Sequence, residues 1–370
     1  MAANADMCET PRSESQPPAK DDGLLRGFWY PALRSPQVRG RTLRCAMLLG
    51  IPLVLGRNDK GEAFALRDAC PHRGMPLSEG RFDGEGIECS YHGWIFAAKS
   101  GQCRAVPSLT VRDKLKVERV FAASFPCEEQ DGYFWVFISD PENRNEDVPP
   151  APRLPVFSPE YCLEHLEAEL PCHVDHGIIG LMDPAHGPFV HQAWWWRKRG
   201  SIHEKEKVFE PVPDGFRIRS HTPSSNSAAY KLLGVYGEPI TTTIQFVLPN
   251  MRFEEIHCGK YWFSSRTTVT PITAARCRID VCAAWNAFRH VPFFTSVLRF
   301  FGSMFVEQDR RTMVKQAAGL KHNPPLMLID DADRPAKWYF ALKAAYLKSK
   351  QTGQPMEHPI EGPTTLRWRS

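Results

Sequence analysis

Asp68–Trp94 reads D-A-C-P-H-R-G-M-P-L-S-E-G-R-F-D-G-E-G-I-E-C-S-Y-H-G-W. Cys70 and His72 are separated by one residue, Cys89 and His92 by two, and sixteen residues lie between the pairs. Two thiolates and two imidazoles on two short loops can hold a metal centre of either of two kinds. One is a single tetrahedral zinc with two sulfurs and two nitrogens. The other is a two-iron, two-sulfur cluster with the cysteines on one iron and the histidines on the other. Pro71, Gly74 and Gly93 flank the candidate ligands. Residues that force turns and permit close backbone approach favour a loop wrapped around a bulky cluster, with N–H groups aimed at its sulfurs.

Around this stretch the chain reads as short strands. Met47–Leu55, Ala63–Leu66, Ile87–Cys89, Trp94–Phe96 and Tyr133–Ile138 are apolar or alternating, with turn signals at 56–61 and 99–101. This predicts a small all-β domain over 23–140 with the metal loops at strand tips. Residues 1–22 read as a disordered tail, too polar for a secretory leader and too acidic for a transit peptide. Prolines 141, 149, 150, 152, 155 and 159 mark 141–160 as an extended linker. Beyond it, 161–350 reads as strands (Lys207–His221, Thr241–Leu248, Met251–Ile256, Tyr261–Thr270, Arg276–Trp285) followed by helices over Phe293–Gln316 and Ala336–Lys350. That order predicts an α+β domain, an antiparallel sheet covered by helices. Residues 351–370 are expected to be a C-terminal tail.

The chain has 370 residues, 42% hydrophobic and 24% charged, enough for two cored domains. A net charge of +4 gives no argument for nucleic acid or an anionic membrane. No run of eighteen apolar residues exists, so no membrane span is expected. Eleven cysteines, scattered and odd in number, point to a reducing compartment, the cytoplasm, and to free thiols outside the motif, Cys45 among them. No Gly-rich dinucleotide fingerprint is present, so a nicotinamide cofactor is expected on another protein.

A second constellation lies at Asp183, His186 and His191, in D-x-x-H-x-x-x-x-H. On a helix Asp183 and His186 would share a face. Gly187-Pro188 would bend the helix between the two histidines and could bring both imidazoles to one point. Alone, two histidines five apart are as well read as core or surface residues. Two histidines and one carboxylate with open positions are the donor set of non-heme iron sites that activate O2, and an electron-accepting site downstream would give an upstream cluster its purpose. Met304–Leu320 reads as a helix bearing Glu307 and Asp309, which could equally form a solvated face. Trp194–Trp196 could wall a substrate channel or pack in a core.

C-P-H-R-G at 70–74 and Y-H-G-W at 91–94 closely resemble the Rieske motif, and D-P-A-H-G-P-F-V-H at 183–191 resembles the catalytic-iron motif of Rieske non-heme iron oxygenases. Trp29–Pro31 (W-Y-P), Leu48–Arg57 (L-L-G-I-P-L-V-L-G-R) and Gly101–Ser108 (G-Q-C-R-A-V-P-S) extend the likeness. The chain is similar to their terminal (alpha) components, nearest to the pheophorbide a oxygenase-like and ring-hydroxylating branch. That resemblance implies a Rieske [2Fe-2S] domain followed by a helix-grip catalytic domain. It assigns Cys70, His72, Cys89 and His92 to the cluster, and His186, His191 and Asp309 to a mononuclear Fe(II), with Glu307 as the alternative carboxylate. It makes Asp183 a catalytic bridge between His186 and a cluster histidine of a neighbouring subunit. The family often has Asn or Glu where this chain has Ile179 or Gly180. The resemblance further implies an NAD(P)H-dependent reductase, acting directly or through a ferredoxin, as partner, O2 and an apolar substrate, and a homotrimer. The absence of the plastid members' C-terminal membrane segments and C-x-x-C favours a soluble bacterial-type protein. The competing reading is an electron-transfer protein or scaffold without a working catalytic iron.

Overall fold

The computed structural model describes residues 22–140, 147–191, 202–223 and 228–370. Most of the expected tail, the first residues of the linker and Trp194–Trp196 lie outside them. The described chain forms two units, the first ending at Arg153 and the second running from Leu154 to Ser370.

The first unit contains β1 (Phe28–Arg34), β2 (Arg44–Leu48), β3 (Ile51–Arg57), β4 (Ala63–Arg67), β5 (Arg81–Phe82), β6 (Gly86–Glu88), β7 (Ile95–Ala97), β8 (Cys103–Ala105), β9 (Ser124–Phe125), β10 (Cys127–Gln130) and β11 (Tyr133–Ile138). They form three antiparallel sheets, ordered β1-β11-β10, β2-β3-β4-β9 and β5-β6-β7-β8. The run Y-F-W-V-F-I of β11 is buried at every position because the strand is central in its sheet and covered on both faces. Each such side chain stabilises the fold by about 1.5–3 kcal/mol. The single strand expected over Met47–Leu55 is a hairpin: Leu49 and Gly50 turn it with φ of 50° and 72°. A left-handed leucine gives no turn signal in sequence, which is why the run reads as continuous.

The second unit contains β12 (Cys162–Leu170), α1 (Val174–Met182), α2 (Gly187–Val190), β13 (Glu204–Val212), β14 (Gly215–His221), α3 (Ala228–Leu233), β15 (Ile240–Val247), β16 (Met251–Cys258), β17 (Tyr261–Thr273), β18 (Arg276–Trp285), α4 (Phe294–Leu320), α5 (Arg334–Thr352) and β19 (Thr364–Arg369). Its eight strands make one antiparallel sheet, β12-β18-β17-β16-β15-β14-β13-β19. Lys207–His221, expected as one strand, is the β13–β14 hairpin, turned at Asp214 with φ of 56°. The expected tail over 351–370 is also corrected: Thr364–Arg369 pairs with Glu204–Phe209. Its alternation buries Leu366 and Trp368 while Thr365 and Arg367 face outward, a two-residue period too short to stand out among the surrounding Pro, Gly and Glu.

Helices cover one face of this sheet. On α5, Trp338 lies 5.7 and 5.4 Å (ring centroids) from Phe209 and Phe216, and Tyr339 lies 5.8 Å from Phe246. Gly177 brings α1 close to β17 and β18: a Cβ there would stand 2.7 Å from Val269 Cγ1. Gly302 does the same for α4, where a Cβ would meet Leu166 Cδ1 of β12 at 2.5 Å. Between helices and sheet remains a largely apolar cavity of about 1290 Å³. Among the described residues no helix is long and apolar enough to cross a membrane.

Candidate metal centres

The two loops of the first unit repeat one backbone pattern. Cys70 N–H donates to Met75 O and Gly74 N–H to Cys70 O; Cys89 N–H donates to Trp94 O and Gly93 N–H to Cys89 O, all at 2.8–3.0 Å. Gly74 and Gly93 each follow a cysteine by four residues and take φ of 74° and 67°, where a side chain would be strained. The first loop is braced by Asp68, whose carboxylate accepts from the Ser78 amide at 2.7 Å and the Ser78 hydroxyl at 2.6 Å.

Cys70 and Cys89 are buried in the apolar core of the domain, with Leu66, Ile87 and Phe96 among their neighbours. Burial, then the adjacent Cys89, pushes the Cys70 thiol up to about 11, so its thiolate requires a compensating positive charge. His72 and His92 are only half-buried, their rings 4.5 Å apart, with His72 stacked on Trp94 at 4.7 Å and 5°. His72 Nδ1 is buried without a hydrogen-bond partner. Sulfurs inside and imidazoles outside form a two-part donor set. Among the described residues no three of these donors converge as a single tetrahedral zinc requires, with ligand atoms roughly 3.5 Å apart. The arrangement fits a two-iron cluster.

In the second unit, among the described residues, His186, His191 and Asp309 offer ligand atoms all within 4.8 Å of one another. Asp309 Oδ1 lies 3.2 Å from His191 Nε2 and 3.9 Å from His186 Nε2. The other ring nitrogens explain why the Nε2 atoms are available. His186 Nδ1 donates to Asp183 O at 2.8 Å, and His191 Nδ1 donates to Gln308 Oε1 at 2.9 Å. Each bond places the proton on Nδ1 and leaves Nε2 as a lone-pair donor. His191 is 1% exposed, stacked on Phe305 at 3.6 Å, and its Nε2 has no hydrogen-bond partner. Two imidazole Nε2 atoms and a carboxylate aimed at one point fit a divalent iron with open positions.

The local chain path differs from the one expected. Asp183 and His186 do not share a helix: α1 ends at Met182, and Gly187-Pro188 opens α2 rather than bending a continuous helix. Proline is favoured in the first turn, where its missing N–H costs nothing. Asp183 Oδ1 accepts from Ala185 N–H at 2.7 Å, fixing the intervening turn, and Oδ2 lies 3.7 Å from His186 Nδ1. Of the two candidate carboxylates on α4, Glu307 is held by Arg310 (2.6 and 2.8 Å) and Arg311 (2.9 Å), which push its carboxyl down to about 2. Asp309 instead continues the cavity-facing stripe Phe301, Phe305, Asp309, Thr312. Gln308 was not singled out from sequence; its only signal is a position one turn after Phe305 on the same helix. Asp175 accepts from Tyr339 (2.5 Å) and Lys343 (2.7 Å), pinning α5 to α1. Cys103, Cys127, Cys162, Cys172, Cys258, Cys277 and Cys282 are free thiols, whereas Cys45 is disulfide-bonded.

Known proteins place both units. The Rieske [2Fe-2S] domain family matches residues 28–121. Over 366 residues the chain is 27% identical to "Chlorophyllide a oxygenase, chloroplastic" of Chlamydomonas reinhardtii, a match covering 91% of this chain and 51% of that protein. Over 200 residues it is 34% identical to the 3-chlorobenzoate-3,4-dioxygenase oxygenase subunit of Comamonas testosteroni, covering 53% and 42%. The chain thus spans about half the length of these relatives. The solved structure of NdmA of Pseudomonas putida CBB5 with caffeine superposes with a TM-score of 0.72 at 18% identity, covering 93% of this chain and 98% of that one, which establishes a shared fold. The chain therefore carries a Rieske [2Fe-2S] domain at residues 28–121 and is akin, in sequence and in fold, to Rieske-type oxygenases.

Proposed function

We propose that the chain is the terminal component of a Rieske non-heme iron oxygenase. In this reading it inserts oxygen from O2 into an apolar, ring-bearing substrate, using electrons from a separate NAD(P)H-dependent reductase, directly or through a ferredoxin. The observation that carries the proposal is the convergence of His186 and His191 Nε2 on Asp309 Oδ1 at the wall of a large apolar cavity, in a chain with a Rieske domain.

When bound, the cluster supplies single electrons and the ferrous ion supplies open coordination positions for O2. Cys70, Cys89, His72 and His92 would hold the first, and His186, His191 and Asp309 the second. Asp183 and Gln308 set the proton on Nδ1 of each histidine, through a backbone carbonyl and a side-chain amide, and so keep Nε2 unprotonated. Phe305 fixes the His191 ring plane. Apolar side chains of α4, among them Phe301, Phe305 and Val306, line the cavity beside the triad and offer contact to an apolar substrate. Asp183 retains an oxygen for an imidazole N–H of a cluster histidine from another copy, which supports a ring of three chains in head-to-tail contact. The thiols left unbridged support a reducing compartment such as the cytoplasm, and the disulfide at Cys45 counts against it.

The carrier or scaffold reading is disfavoured by the donor set itself, since a protein that binds no catalytic iron has no use for two histidines with preset tautomers facing a carboxylate. The names of the relatives, which act on chlorophyllide a and 3-chlorobenzoate, support a ring-bearing substrate. The test is oxygen uptake by cluster-loaded, iron-loaded protein with a reductase and a panel of aromatic and polycyclic compounds. His186→Ala is expected to keep the visible absorption of the cluster and lose substrate-dependent oxygen uptake. Unchanged uptake in that variant would sink the proposal.

A further inference from the structure

One wall of the cavity is polar, and no part of the metal chemistry uses it. The sheet register sets His221 of β14 opposite Thr242 of β15, Ile244 opposite Glu254 of β16, and Phe246 opposite Arg252. With a two-residue side-chain period, Thr242, Arg252 and Glu254 all line the cavity, with Lys207 of β13 and Tyr230 of α3 at the margin. Tyr230 donates to Glu254 Oε1 at 3.2 Å, and Arg252 Nη1 lies 3.0 Å from Glu254 Oε2. We propose that this wall is an anchor for a carboxylate on the substrate, with Arg252 as its principal ligand. The proposal rests on the oxygenase reading only for the identity of the bound molecule as substrate.

The count of donors and charges leads there. Glu254 is engaged by Tyr230 and Arg252, but a guanidinium carries five N–H donors and only part of that capacity is used. Lys207 Nζ makes one long bond, 3.4 Å to Thr222 O, and burial alone lowers its basicity. Thr242 is buried, and its hydroxyl lies against that of Tyr230. His221 donates Nδ1–H to Arg219 O at 2.8 Å, and burial, then the nearby Lys207, lowers the basicity of the ring. Lys207, Arg252 and Glu254 together leave one positive charge unbalanced.

The remaining acidic groups around the cavity do not neutralise it. Glu164 pairs with Arg299 at 2.7 Å and Glu206 with Arg367 at 2.7 Å. Asp333 accepts from Ile329 N–H at 2.8 Å, Glu204 faces solvent, and Asp183 and Asp309 belong to the metal centre. Spare donors and a spare positive charge set in an apolar cavity complement a monocarboxylate with an apolar body. The volume, about 1290 Å³, accommodates more than a single ring.

The test is calorimetric binding to the cluster-bearing protein of benzoate, 2-naphthoate and 9-anthroate, each against its neutral carboxamide. At least one acid is expected to bind about tenfold or more tightly than its amide, the effect of charge-assisted hydrogen bonds, and the difference should shrink with salt. Arg252→Gln should bring the acid-to-amide ratio to within about twofold, and Lys207→Gln should lower it part of the way. Glu254→Gln should raise acid affinity, because it frees Arg252 and adds to the positive charge; a merely structural ion pair predicts a fall or no change. Retained cluster absorption verifies folding of each variant. No acid preferred over its amide in the wild type, or a preference that survives Arg252→Gln, overturns the proposal. An acid preference without substrate-dependent oxygen uptake leaves the anchor standing and removes the oxygenase reading, whereas uptake on neutral compounds without an acid preference does the reverse.

Discussion

The two candidate centres are built in opposite ways. The cluster ligands lie within Cys70–His92, on two loops that repeat one hydrogen-bond pattern with a left-handed glycine in each. The triad joins His186 and His191 to Asp309, more than a hundred residues later, and gathers them only because α4 packs against β12. The first centre is local and is folded around by its own loops. The second is a product of tertiary structure and depends on the packing of a distant helix. The donors differ accordingly. The buried Cys70 thiol needs a metal charge to ionise, whereas the imidazoles of the triad are oriented by bonds from Nδ1 to Asp183 O and Gln308 Oε1.

This contrast can be broken at either end. The largest effect is expected from Cys89→Ser, which removes a sulfur ligand from the apolar core. Visible absorption and all reductase-dependent turnover should be lost, while ferrous iron still binds the triad. A cluster of normal absorption in that variant would dissociate Cys89 from it. Asp183→Asn comes next. It keeps the backbone carbonyl that His186 uses but removes the carboxylate charge, so turnover should fall by about 10–100-fold or more with both metals in place. Unchanged turnover would reduce Asp183 to a turn-forming residue bonded to Ala185 N–H.

Gln308→Ala frees the buried His191 ring to change tautomer. Ferrous iron should bind about 10–100-fold more weakly, with turnover rescued by added iron and the cluster unaffected. Loss that added iron does not rescue would mean that Gln308 acts on packing rather than on the ligand. The smallest effect belongs to Glu307→Gln. Arginines 310 and 311 hold Glu307 well below the usual carboxylate range, so its contribution to stability is present above that range and fades as pH falls toward 2. At neutral pH iron content should be unchanged, while Asp309→Asn should abolish the third iron; the reverse pattern would exchange their roles.

The same contrast explains what the sequence disclosed. Ligand types at short, fixed spacing, with glycines at the turns, announce a cluster site without reference to tertiary structure. The triad carried half of such a signal, D-x-x-H-x-x-x-x-H, and its third member rested on family resemblance. Asp309 and Glu307 differ in the direction their side chains take from one helix, and direction is set by packing. Gln308 was invisible for that reason, as was the anchoring wall, whose members come from five separate elements. Leu49 hid one hairpin because a leucine with positive φ leaves no mark in composition, whereas the other was legible in the turn signal Pro213-Asp214-Gly215. Thr364–Arg369 hid a strand because its partner, Glu204–Phe209, lies about a hundred and sixty residues away.

The measurement that bears most directly on the two-centre account is iron and acid-labile sulfide per chain, on protein purified without air. Three irons and two sulfides are expected, the cluster plus the ion at His186, His191 and Asp309. Two irons and two sulfides, with added ferrous iron failing to restore the third, would contradict the account and leave a cluster-bearing electron carrier in its place.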